Sequence, residues 1–183
     1  MLPLTIATVI FAFILIVKGG GLAFGEKRFI RWGIEILYYR KTSLVLWTIA
    51  IGWTLWETMK LGPSDFGGFK LPLFIVFAGL GVASVWMLRD YLIVRAAAVI
   101  NLYVCWYFLK AAFLQPEWTR LFLVAPVYLA IIASLWLAVA PWRVRDLLLW
   151  MQEKPLRWRI LGWTKLVYGT LLLVVAATYR FFL

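Results

Sequence analysis

The sequence predicts an all-α integral membrane protein, with six transmembrane helices as three consecutive hairpins and two interfacial amphipathic helices on the cytoplasmic face. Three observations predict it. The 183-residue chain is 65% hydrophobic and 15% charged, whereas a soluble domain has roughly 45–50% apolar and about 25% charged residues. Its apolar residues, which give a mean hydropathy of +0.92, gather into six long spans. Its dense positive charge falls in every second connection between those spans. A water-facing fold could not hide this much apolar surface, and a bilayer requires it. Six helices of about 20 residues use most of the chain, so residues 1–183 form one membrane domain with no soluble one.

The first span covers about 3–24. No basic residue precedes its apolar run, and Lys18-Gly19-Gly20-Gly21 follows it. It therefore reads as a retained helix and not as a cleaved leader. The glycines read as a flexible or closely packed helix end. The second span, about 42–60, carries Trp47, Trp53 and Trp56, and Gly62-Pro63-Ser64-Asp65 with Gly67-Gly68 forms the next loop. The third, about 71–88, reaches a tight turn at Arg89-Asp90. The fourth, about 91–113, ends at Gln115-Pro116-Glu117. Pro126 kinks the fifth, about 121–140, and Pro141 and Pro155 bracket a short segment before the sixth, about 160–180.

Two polar connections read as helices. Over 26–40, Lys27, Arg31 and Glu35 recur at four-residue spacing, while Phe29, Ile30, Gly33, Ile36 and Leu37 fall mostly on the other face. Over 142–154, Leu147, Leu148, Leu149 and Met151 supply apolar area after Pro141. Both are expected to lie at headgroup level; the alternative is that each extends its neighbouring transmembrane helix. Lys27, Arg28, Arg31, Arg143, Arg145, Arg157 and Arg159 are the expected contacts to anionic headgroups.

Charge gives the orientation. Six Lys and Arg lie between Lys18 and Lys41, two more are Arg89 and Arg95, and Arg143, Arg145, Lys154, Arg157, Arg159 and Lys165 complete fourteen on one side. Lys60, Lys70, Lys110, Arg120 and Arg180 lie on the other. The positive-inside rule makes the fourteen cytoplasmic and puts both termini outside, as periplasmic ends in a bacterial inner membrane. The basic residues hug span ends, so the formal charge of +11 points to lipid and not to nucleic acid. An internal repeat of parallel type is hinted at by Arg89-Asp90-Tyr91-Leu92 and Arg145-Asp146-Leu147-Leu148, for which chance is an adequate explanation.

Missing residue types narrow the chemistry. With no His, the usual axial haem ligand and the commonest zinc and copper ligand are absent. The lone Cys105 sits in a span and reads as a structural thiol that can form no intrachain disulfide. No Gly-x-Ser-x-Gly elbow occurs, and Gly19-Gly20-Gly21 lacks the strand and the Gly-Lys-Ser/Thr of a phosphate loop. No metal ligands and no catalytic residues are assigned. Lipid, a quinone or a carotenoid held by contact are the cofactors compatible with such a chain.

Ionisable and amide groups in spans are the remaining candidates. Glu57 can reach water or pair with Lys60, Lys110 can snorkel, and Arg89, Asp90 and Arg95 suggest a turn-stabilising ion pair. Asn101 is the strongly polar side chain nearest the midplane, and it reads as an interhelical hydrogen-bonding group or a ligand contact. The chain is tryptophan-rich, with 12 Trp. Trp32, Trp56, Trp118, Trp142, Trp158 and Trp163 suit an interfacial belt, while Trp106 and Trp136 lie deeper and join Asn101 as candidate cofactor contacts. Gly79, Gly81, Ala83 and Ser84 allow close helix approach in the third span.

These features favour a non-catalytic integral subunit or accessory scaffold of a larger inner-membrane complex, respiratory or photosynthetic. It would organise anionic lipids and other integral membrane subunits. The alternatives are a small oligomeric channel or transporter using Asn101, Glu57 or the Arg89–Asp90–Arg95 turn, and a lipid-acting enzyme using Glu57 or Asp90 as base.

Overall fold

The computed structural model describes residues 4–25, 27–62, 65–87, 91–115 and 118–179, with backbone alone at 27–29. Among the described residues there are eight α-helices and no strand: α1 (Leu4–Ala23), α2 (Lys27–Tyr38), α3 (Arg40–Met59), α4 (Lys70–Met87), α5 (Leu92–Ala112), α6 (Leu121–Val139), α7 (Trp142–Glu153) and α8 (Pro155–Thr178). Short 3-10 turns at Gly67–Phe69 and Trp118–Arg120 lead into α4 and α6. Five segments are long and apolar enough to cross a membrane: Leu4–Ala23, Gly67–Met87, Leu92–Ala112, Trp118–Val139 and Pro155–Thr178. The chain is thus a helical, multi-pass membrane protein.

The expected second span, α3, has 20 residues but is less apolar than those five. Its polarity comes largely from hydroxyls that its own backbone absorbs. Ser43, Thr48, Thr54 and Thr58 each donate to the carbonyl four residues earlier, at 3.1, 2.9, 3.0 and 2.8 Å. Such back-bonding hides the hydroxyl from an apolar surrounding.

α1 and α8 form an antiparallel pair, the most extensive helix contact in the fold. Small residues make it possible. A Cβ at Gly19 would stand 2.9 Å from Gly162 O, and one at Gly162 would stand 2.8 Å from Ala23 Cα. Farther along, Gly169 lies against Ile16 and the Ala12 carbonyl. The glycine run of α1 is therefore a closely packed helix end at Gly19, while Gly20 has open space around it. Beyond the seam, Leu4, Phe11, Cys105, Phe108, Leu123, Val127 and Leu172 close a core shared by α1, α5, α6 and α8. Phe11 and Phe108 meet edge to face at 5.1 Å.

The expected hairpins, closed at the basic end, are not the units that pack. α5 lies on α6 and α3 on α4, each pair joined at the opposite end, and α3 also lies along α5. α6 and α8 touch slightly, and neither α1 with α3 nor α4 with α5 forms a comparable interface. The physical reason is side-chain size: the glycine seam admits α8 to α1, and Gly81 admits α3 to α4. Ile51 Cγ2 would lie 2.9 Å from a Cβ at Gly81, and Trp47 Nε1 donates to Gly81 O at 2.9 Å.

At the basic end α2 packs against α7. Ile30, Met151 and Trp158 are buried together with Leu22, Ile34 and Leu148 around them. α2 ends at Tyr38, so Arg40 and Lys41 belong to α3, and α8 starts directly at Pro155, carrying Arg157 and Arg159 in its first turns.

Candidate functional site

The helix ends of the basic side surround a cavity of about 410 Å³. α2 contributes Leu37 and Tyr38, α3 contributes Arg40, Ser43 and Leu44, and α4 contributes Val85; Tyr91 and Leu92 come from the entry to α5, and Arg145 from α7. Local structure explains several of these positions. Tyr91 precedes α5 with a φ of 57°, a left-handed conformation that costs an L-residue roughly 1–2 kcal/mol. Its ring sits 6.2 Å from that of Tyr38. α3 and α5 both start without a side-chain cap, so two positive helix ends lie at the rim.

The polar groups of this cavity are only partly paired. Arg145 Nη2 contacts Asp146 Oδ1 at 3.3 Å, while Arg145 Nε is buried with no hydrogen-bond partner. A hydrogen bond with Tyr38, then Asp146 beside it, holds the Arg145 guanidinium above its ordinary pKa. Arg145 can only donate, so the Tyr38 hydroxyl oxygen accepts. A hydrogen bond with Tyr38, then burial, pushes the Tyr91 phenol up as well. Ser43 Oγ spends its proton on Tyr39 O at 3.1 Å. Among the described residues the cavity thus presents two guanidinium groups and two phenols beside one half-exposed carboxylate.

A second cavity, of about 460 Å³, lies at the other end of α3 and α5 and is lined by Glu57, Leu61, Val99, Leu102, Tyr103 and Trp106. Glu57 Oε1 accepts from Lys60 Nζ and from the Tyr107 hydroxyl, both at 3.0 Å. Trp53 stacks on Tyr103 at 5.4 Å, and Lys110 Nζ sits 4.9 Å over the Trp106 ring. This is an aromatic pocket whose carboxylate is already neutralised.

Among the described residues, the sequence candidates do not gather into one site. Asn101 Nδ2 donates to Ser134 Oγ at 2.7 Å, and that hydroxyl donates to Ala130 O at 2.7 Å. Trp106 lines the second cavity, and Trp136 is exposed on α6. Arg157 reaches Trp150 O at 2.6 Å and Glu153 Oε2 at 2.7 Å, so it stabilises the end of α7. Arg31, Arg143 and Arg159 are exposed. The side chains of Lys27 and Arg28, and Arg89 and Asp90 entirely, lie outside the described residues. Arg95 Nε is 3.5 Å from Ala138 O. Among the described residues no three His, Cys, Asp or Glu side chains gather to hold a metal.

Sequence reasoning singled out Arg145 but not Tyr38, Arg40, Ser43 or Tyr91 as its companions. The available signal was the pairing of Tyr with Arg at two basic turns, Tyr38-Tyr39-Arg40 and Arg89-Asp90-Tyr91. Comparison with family models, curated proteins and solved structures finds no match for this chain.

Proposed function

We propose that this chain is a non-catalytic integral subunit or accessory scaffold of a larger bacterial inner-membrane complex, respiratory or photosynthetic. In this reading α3 is a sixth span, both termini are periplasmic, and α2 and α7 lie as amphipathic helices among cytoplasmic headgroups. The observation that carries the proposal is α4. It leans chiefly on α3 and is buried at Gly81 alone, leaving Ile75, Val76, Leu80 and Val82 exposed along its length. A helix so lightly held within its own chain offers a full apolar surface to partner helices and lipid. The polar interior supports the same reading, because Asn101 spends an amide N–H on Ser134 of the neighbouring helix.

Gentle extraction from native membranes tests the proposal: the chain is expected to co-purify with stoichiometric integral partners. A lone monodisperse species would overturn it. Orientation is tested separately by labelling Lys154→Cys and Leu114→Cys variants in intact cells, with only the second expected to react from outside. The channel or transporter alternative draws on the Glu57 cavity, and solute flux in proteoliposomes that disappears in Glu57→Gln would favour it.

A further inference from the structure

We propose that the cavity between Arg40 and Arg145 binds a phosphate group, carried by an anionic phospholipid headgroup or by free phosphate. The inference rests on the proposed placement of this end at the cytoplasmic headgroup level and gives that surface one defined site. The first ground is charge. Arg40 and Arg145 both line the cavity, and Asp146 contacts Arg145 through a single oxygen at 3.3 Å while remaining half-exposed to water. Among the described residues, two guanidinium groups stand against one carboxylate at the site.

The second ground is the geometry of Arg145. Its Nε is buried without a hydrogen-bond partner, and an unsatisfied buried donor carries a desolvation cost that a ligand acceptor removes. A phosphate oxygen can meet Nη2, and a turn of the Arg145 side chain, which is 44% exposed, brings Nε to a second oxygen, replacing the single contact to Asp146 with a paired one. Chloride offers no such pair.

The third ground is the mixture of surfaces. Tyr38 and Tyr91 line the same space, together with the apolar Leu44, Val85 and Leu92. At about 410 Å³ the cavity far exceeds one water's share of liquid volume, about 30 Å³. It has room for an esterified phosphate with the start of its glycerol and acyl part against these apolar side chains. Tyr91 is held there in a left-handed backbone conformation, a form of local strain that concentrates at binding sites.

The test is native mass spectrometry and lipid titration of the full chain in phosphatidylcholine nanodiscs with and without phosphatidylglycerol. The expected result is selective retention of phosphatidylglycerol, about tenfold weaker in Arg145→Gln and in Arg40→Gln, the loss of one charge-assisted bond. Lys154→Gln, an exposed charge of the same end outside the cavity, should leave retention unchanged. Equal losses in all three variants, or no loss in the two cavity variants, overturn the site in favour of diffuse surface attraction. Arg145→Lys and Tyr91→Phe, which preserve charge and ring respectively, should each weaken retention and read the site if Arg145→Gln does not fold. Competition by inorganic phosphate identifies free phosphate as a ligand; undisturbed lipid retention identifies the headgroup. An inverted labelling pattern at Lys154→Cys would defeat the proposed orientation while the nanodisc measurement still reads the cavity.

Discussion

The hydroxyl of Tyr168 on α8 donates to the carbonyl of Phe122 on α6 at 2.8 Å, and the cause lies four residues past Phe122. Pro126 stands inside α6 and has no N–H to give that carbonyl. A proline in a membrane helix is tolerated when a neighbouring helix re-satisfies the freed group; here Tyr168 does so and ties α8 to α6. Tyr168→Phe should therefore destabilise the fold by about 1 kcal/mol. The cost should shrink in a Pro126→Ala background, where residue 126 supplies its own N–H. A double-mutant cycle from detergent unfolding curves measures the coupling, and equal costs in both backgrounds would refute the link.

Gly162 and Gly19 set the approach of α1 to α8. A Cβ at Gly162 would meet Ala23 Cα at 2.8 Å and Gly19 O at 2.9 Å, all backbone that cannot turn aside. Gly162→Ala should cost about 1–3 kcal/mol as an overpacking change, visible as a lower unfolding midpoint. Gly20→Ala, with nothing within 4 Å, should be neutral or slightly stabilising, because alanine is the better helix former.

Asn101 and Ser134 make a pair whose removal is cheap. Interhelical polar contacts in membranes average about 0.6 kcal/mol, and Ser134 Oγ keeps its bond to Ala130 O. Asn101→Leu should lower stability by roughly that amount. In proteoliposomes it should change no ion or solute flux; a flux lost on this substitution would move the function toward transport.

Cys105 is 2% exposed within the core shared by α1, α5, α6 and α8. A maleimide should fail to label the native protein and should label it fully in denaturant. Rapid labelling under native conditions would mean that this core opens.

Spacing did not foretell the local partners of Arg157, whose guanidinium lies 4.3 Å over the Trp150 ring and bonds the end of α7. Glu57 and Lys60 were legible as partners because three residues on a helix always bring side chains together. Arg40, Tyr91 and Arg145 were not legible as one cavity, since they come from three helices brought together only by packing.

The sequence by itself determined the helical, membrane-spanning class, because burying backbone polar groups in hydrocarbon leaves a helix as the way to satisfy an isolated apolar span. Its Gly, Pro and charged residues also marked the connections. Only the tertiary structure decided that α1 pairs with α8 and that α3 lies between α4 and α5. A span destined for lipid is apolar on every face, so hydropathy carries no stripe to say which face meets protein. That choice rests on where a missing side chain lets backbones touch, at Gly19, Gly81 and Gly162, and it is a property of pairs of helices that no single span reveals.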